Sequence, residues 1–158
     1  MSNELAIETE QLQQISWLPT LNLPERGRTS AVVVERAKAK ILIVDDEPDI
    51  VLSVGKRLAF SGYEILSARD GAEATKVALQ NRPDLIILDI GMPCGDGHAV
   101  ASRIRSNVST ICTPIIFLTA RTSVEDRTAA EEAGAFAFVT KPFKPEELLS
   151  LIEKALER

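Results

Sequence analysis

The chain has 158 residues, of which 45% are hydrophobic and 26% charged, with a formal net charge of −5. This is the make-up of one soluble globular domain with room for a tail, and it lacks the basic excess that non-specific nucleic-acid binding needs. The longest wholly apolar runs are four or five residues, too short to cross a membrane, and two cysteines, Cys94 and Cys112, make neither a disulfide framework nor a metal cluster and suit a reducing cytoplasm.

Residues 1–38 differ from the rest. Leu5, Leu12, Ile15 and Leu18 recur at roughly helical spacing over Glu4 to Leu18, a weak amphipathic signal. Pro19 and Pro24 break it, and Ala31 to Val34 could be a stray strand. No signal peptide fits, because Glu4, Glu8 and Glu10 stand where basic and apolar residues are required. Residues 1–38 are expected to be an extension, either flexible or partner-binding, and residues 39–158 the domain.

From Lys40 the pattern is regular. Ile41-Leu42-Ile43-Val44 is a buried strand ending in Asp45-Asp46-Glu47. Pro48 then opens a helix, its missing N–H costing nothing in the first turn. Ile50, Val51, Val54 and Leu58 mark its inward face, and Ser61-Gly62 stops it. Tyr63 to Ser67 is a short strand. Ala72 to Gln80 is a helix with Ala74, Val77 and Ala78 inward, ending before Pro83 because the residue before a proline avoids the helical region. Leu85 to Leu88 is an unbroken apolar run closed by Asp89, the pattern of a strand buried on both faces. Gly91 and Pro93 force a loop just after it. Asp96-Gly97 leads into a helix with Val100, Ala101 and Ile104 inward. Pro114 to Thr119 is another buried strand. Ser123 to Glu132 is a polar helix stopped by Gly134. Ala135 to Thr140 is the fifth strand, followed by Lys141-Pro142-Phe143. Pro145-Glu146-Glu147 opens the last helix, with Leu148, Leu149, Ile152 and Leu156 inward.

Strand and helix alternate five times. The fold class is therefore α/β, with a doubly wound parallel sheet of five strands. In such a sheet the carboxyl ends of the strands share one edge, where ligands bind. Asp45-Asp46, Asp89, Thr119 and Lys141 all stand at strand ends, so residues distant in sequence converge. Carboxylates crowded to about 4 Å repel by about 4 kcal/mol per pair at an effective dielectric of 20. Protonation or a cation relieves this, and carboxylates with a loop carbonyl and waters suit Mg²⁺. With a lysine and a hydroxyl beside it, the set can stabilise a phosphoryl group, with an aspartate as nucleophile.

Ile41-Leu42-Ile43-Val44-Asp45-Asp46-Glu47, Asp89 with Met92-Pro93 and Asp96-Gly97, Thr119-Ala120, and Lys141-Pro142-Phe143 closely resemble the receiver domain of two-component response regulators over residues 39–158. The resemblance implies the flavodoxin-like strand order 2-1-3-4-5, which is carried over from the family rather than read from the pattern. It implies that Asp89 is the phosphoacceptor, charged by a sensor histidine kinase or phosphotransfer protein. It implies that Asp46, Asp89 and the Gly91 carbonyl hold Mg²⁺ with Asp45 in support, and that Thr119 and Lys141 bind the phosphoryl oxygens. Phe138, three residues before Lys141, occupies the place of the family's aromatic switch, with phenylalanine where tyrosine is commoner. A cis Lys141–Pro142 bond is expected from the resemblance and from the sharp turn needed to aim Lys141. The lack of room for an output domain after Arg158 implies a stand-alone regulator. It would be cytoplasmic, with no turnover of an external substrate, no direct nucleic-acid contact and no membrane insertion, signalling to a downstream protein.

Three rivals are weaker. A Mg²⁺-dependent phosphatase with an aspartyl-phosphate intermediate usually has a second aspartate two residues after the nucleophile, and Gly91 stands there. A DNA-binding regulator needs a basic recognition helix, which is missing. A degenerate receiver used only for docking would not keep the complete acidic site.

Overall fold

The computed structural model describes residues 39–92, 97–120 and 123–157. The expectations for residues 1–38, Cys94 and Asp96 lie outside them. The elements run β1 (Lys40–Val44), α1 (Pro48–Phe60), β2 (Glu64–Ala68), α2 (Gly71–Asn81), β3 (Leu85–Leu88), α3 (Gly97–Arg105), β4 (Ile115–Thr119), α4 (Val124–Glu132), β5 (Ala137–Thr140) and α5 (Pro145–Leu156). The sheet is parallel throughout, in the order β2-β1-β3-β4-β5. No described helix is long and apolar enough to cross a membrane.

The apolar strands divide their side chains by alternation. Leu42, Val44, Ile86, Leu88, Ile115 and Phe117 face α2, α3 and α4, meeting Ala74, Ala78, Val100, Ala101, Ile104 and Ala130. Ile41, Ile43, Leu85, Ile87, Ile116 and Leu118 face α1 and α5, meeting Val54, Leu58, Leu148, Ile152 and Ala155. This period of two explains why the strands are apolar at every position: both faces are covered.

The helix boundaries differ from the sequence expectation in ways that capping explains. Asp70 caps α2 by accepting hydrogen bonds from the Ala72 and Glu73 N–H groups, so the helix begins at Gly71. It ends because Arg82, just before Pro83, turns left-handed at φ 47°. That residue does avoid the helical region, but by a left-handed turn rather than by extension. Ser123 caps α4 through the Asp126 N–H and so precedes the helix. β5 starts at Ala137, two residues later than expected, and β2 spans Glu64–Ala68. In α5 the fully buried positions are Leu148, Ile152 and Ala155, while Leu149 and Leu156 are only partly covered. The inward stripe is thus rotated towards a small residue that fits close to the sheet.

Candidate functional site

Backbone hydrogen bonds stitch the strand ends together and thereby aim their side chains. The Asp89 N–H donates to the Val44 carbonyl at 2.9 Å, the Asp45 N–H to the Ala68 carbonyl at 3.2 Å, and the Lys141 N–H to the Thr119 carbonyl at 2.8 Å. The Lys141–Pro142 peptide is cis, as expected. The Lys141 side chain crosses the end of the sheet. Its Nζ lies 2.6 Å from Asp45 Oδ2, 3.1 Å from Glu47 Oε1 and 3.2 Å from Asp89 Oδ2.

The two buried carboxylates are held in the same way. Asp45 accepts the Glu47 N–H on Oδ1 at 2.9 Å and Lys141 on Oδ2. Asp89 accepts the Gly91 N–H on Oδ1 at 2.8 Å and Lys141 on Oδ2. Each aspartate therefore has one oxygen on a backbone donor of its own loop and the other on a shared ammonium. A methyl group at Gly91 would stand 3.3 Å from Asp89 Oδ1, so glycine allows the loop to close around the carboxylate.

Asp45 and Asp89 are only 2% and 5% exposed. Burial pushes the Asp45 carboxyl above its ordinary value, opposed by the hydrogen bonds from Lys141 and the Glu47 N–H. Burial would likewise lower Lys141, but the hydrogen bonds to Asp45 and Glu47 and the charges of Asp45 and Asp89 outweigh it and hold the ammonium above its ordinary range. Three carboxylates beside one ammonium leave an excess of two negative charges.

Carboxylate oxygens of Asp45, Glu47 and Asp89 lie within 4.8 Å of one another. Hard oxygen donors at this spacing, with the Gly91 carbonyl on the adjoining loop, fit a small divalent cation. The structure thus brings together Asp45, Asp89 and Lys141. Asp46 is exposed and is not one of the three clustered acids. Glu47, to which sequence reasoning gave no role, is. Its only sequence signal is its place in the Asp45-Asp46-Glu47 run.

Thr119 is fully buried at the end of β4. It lies opposite Thr140 in the register, and Phe117 lies opposite Phe138. Phe138 is half-buried, with the Arg127 guanidinium of α4 at 5.4 Å from its ring centroid. Within α4 only Ala130 is fully buried. His98, at the start of α3, sets its ring 5.4 Å from that of Phe117.

A family model described as the response regulator receiver domain matches residues 41–153. The transcriptional regulatory protein PrrA of Mycobacterium tuberculosis is 43% identical over 119 residues, covering 75% of this chain and 50% of PrrA. The probable transcriptional regulator ycf27 of Guillardia theta is 45% identical over 121 residues, covering 77% of this chain and 46% of its own. The chain thus spans about half the length of these curated relatives. Among solved structures, the chemotaxis protein CheY4 of Vibrio cholerae superimposes with a TM-score of 0.73 at 38% identity, covering 76% of this chain and all of CheY4. The receiver domain of the sensor histidine kinase PA1611 from Pseudomonas aeruginosa, solved with a magnesium ion coordinated in its active-site cleft, gives 0.72 at 31% identity, over 77% of this chain and all of that one.

Proposed function

We propose, from the premise that this chain belongs to the response regulator receiver domain family, that Asp89 accepts a phosphoryl group from a phosphohistidine of a sensor kinase or phosphotransfer protein. The observation that carries this reading is the Lys141 ammonium bridging Asp45 Oδ2 and Asp89 Oδ2 at the strand ends. It gives a buried nucleophilic carboxylate a fixed positive neighbour that can also meet the incoming phosphoryl oxygens. In the transfer, an Asp89 carboxylate oxygen bonds to phosphorus as the P–N bond of the phosphohistidine breaks. The imidazole keeps the bond's electron pair.

The magnesium-bound cleft of the P. aeruginosa relative and the acidic set here support Mg²⁺ as the cofactor. Asp45, Asp46, Asp89 and the Gly91 carbonyl are the proposed holders. When bound, the cation supplies charge that offsets the acids and the phosphoryl oxygens. Thr119 is assigned to a phosphoryl oxygen as hydrogen-bond donor and Lys141 as charged donor. The domain is then a signalling module that modifies itself rather than an enzyme for an external substrate. Incubation with a small acyl phosphate and Mg²⁺ tests the reading. One phosphoryl mass should appear and should be removed by hydroxylamine, as an acyl phosphate requires. No mass gain, or a hydroxylamine-resistant one, would contradict it.

The proposed output runs through Thr119 and Phe138. Engagement of the Thr119 hydroxyl by phosphoryl leaves space that the Phe138 ring can enter, reshaping the face of α4, β5 and α5 for a downstream protein. Arg127 opposes this by holding the ring, a contact worth about 0.5–1 kcal/mol at an exposed site. Moving the equilibrium from 1:99 to 99:1 takes about 5.5 kcal/mol, within reach of two or three charged hydrogen bonds at about 1.5–3 kcal/mol each. The sparse burial of α4 favours its movement. On adding beryllium fluoride with Mg²⁺, NMR shifts should extend to Phe138 and residues 123–132. Shifts confined to residues 45–47 and 89–92 would defeat the switch.

A further inference from the structure

Glu47 stands at the N-cap of α1 but does not cap it with its side chain. Its backbone carbonyl accepts from the Ile50 and Val51 N–H groups, which starts the helix. Good N-caps have a short side chain that reaches back to a free N–H. Glutamate is a methylene too long, and Pro48 at the next position has no N–H to offer. The side chain has no local task, and it reaches Lys141, 94 residues away in sequence, at 3.1 Å.

This contact completes the lysine. An ammonium has three protons, and Lys141 has three carboxylate partners within hydrogen-bond distance: Asp45, Glu47 and Asp89. A phosphoryl oxygen that needs Lys141 must take the place of one of them. Asp45 is buried and closest at 2.6 Å, and its release would leave a charge without compensation. Asp89 is the acceptor itself. The Glu47 side chain is 60% exposed and can return to water at small cost. It is the replaceable partner.

We propose that Glu47 is a positioning residue that holds the third Lys141 proton in the resting site and yields it to the phosphoryl group. It raises the negative charge that attracts a cation, and it competes with the phosphoryl group for the lysine. The inference rests on the phosphoryl-acceptor reading of Asp89. It predicts two effects of opposite sign, which damage to the fold would not produce.

Glu47→Gln keeps the size and removes the charge. Titrated with magnesium alone and followed by NMR, this variant should bind the cation about three- to tenfold more weakly. At saturating magnesium it should bind beryllium fluoride tighter by about the same factor. Glu64→Gln, an exposed acid at the opposite edge of the sheet, should change neither. Glu47→Asp keeps the charge and shortens the reach to Lys141, so it should retain the cation affinity and raise only that for beryllium fluoride. Equal affinities in Glu47→Gln and the parent, or weakening of both, would overturn the role of Glu47. Failure of the parent protein to bind beryllium fluoride, or undiminished binding by Asp89→Asn, would instead overturn the acceptor reading.

Discussion

Asp89→Asn is expected to abolish phosphorylation by a small acyl phosphate, and chelation of divalent cations to abolish it in the parent protein. An amide has no carboxylate oxygen with which to attack phosphorus, and its nitrogen is a poor nucleophile. The other buried aspartate is not free to take its place. Asp45 has one oxygen on the Glu47 N–H and the other on Lys141 at 2.6 Å, and it is 2% exposed. The fold should survive. The substituted amide would keep an acceptor oxygen for the Gly91 N–H, now met by Asp89 at 2.8 Å. It would also remove one charge from a site with three carboxylates and one ammonium. Its amide nitrogen would face the Lys141 ammonium, which keeps Asp45 and Glu47 as acceptors, so the lost charged contact offsets the relieved repulsion. The thermal midpoint should stay close to that of the parent, and lost labelling then cannot be ascribed to unfolding. Mass spectrometry with and without chelator, beside thermal melts, checks each part. Labelling of the variant at the parent's level would end the assignment, and so would labelling indifferent to chelation.

Much of this molecule is legible in its sequence because burial on both faces leaves a plain mark. Ile41 to Val44, Leu85 to Leu88 and Ile115 to Leu118 are apolar without interruption, and each is a strand of the sheet. The convergence of Asp45, Asp89 and Lys141 follows from parallel strands sharing a carboxyl edge, the edge at which Thr119 also ends its strand, and it needs no knowledge of side-chain rotamers. What the sequence conceals depends on short-range geometry. The inner stripe of α5 shifts onto Ala155 because close approach to the sheet favours a small residue, which hydrophobicity alone does not reveal. The part played by Glu47 depends on a loop side chain bending over the site instead of capping its helix. Asp46 and Glu47 look equivalent in the acidic run, and only the backbone exit from β1 distinguishes the one clustered with Asp45 and Asp89.

The same short-range geometry underlies a second large effect. Gly97→Ala is expected to destabilise the domain by about 1–3 kcal/mol, the usual cost of an overpacked methyl group. In most helices the change is favourable, since glycine costs roughly 0.5–1 kcal/mol relative to alanine. Here a Cβ on Gly97 would stand 2.6 Å from the Asp89 carbonyl oxygen and 2.7 Å from Ile90 Cα. Both are backbone atoms at the exit of β3, so no rotamer change can relieve the clash. Nor can α3 withdraw freely, because Val100, Ala101 and Ile104 are fully buried in the core with Ile86, Leu88 and Phe117. The strain must then fall on the segment that aims the acceptor carboxylate at Lys141. Displacements near 1 Å can cost about 10²-fold in rate, so acyl-phosphate labelling of Gly97→Ala should slow by about ten- to a hundredfold. The rate should be measured well below the variant's melting temperature. Gly91→Ala is the graded comparison: its Cβ would lie 3.3 Å from a carboxylate oxygen, a milder approach to a side-chain atom. It should therefore melt closer to the parent than Gly97→Ala does. A Gly97→Ala protein that matches the parent in both melting and labelling rate would show that this close approach does not fix the position of Asp89.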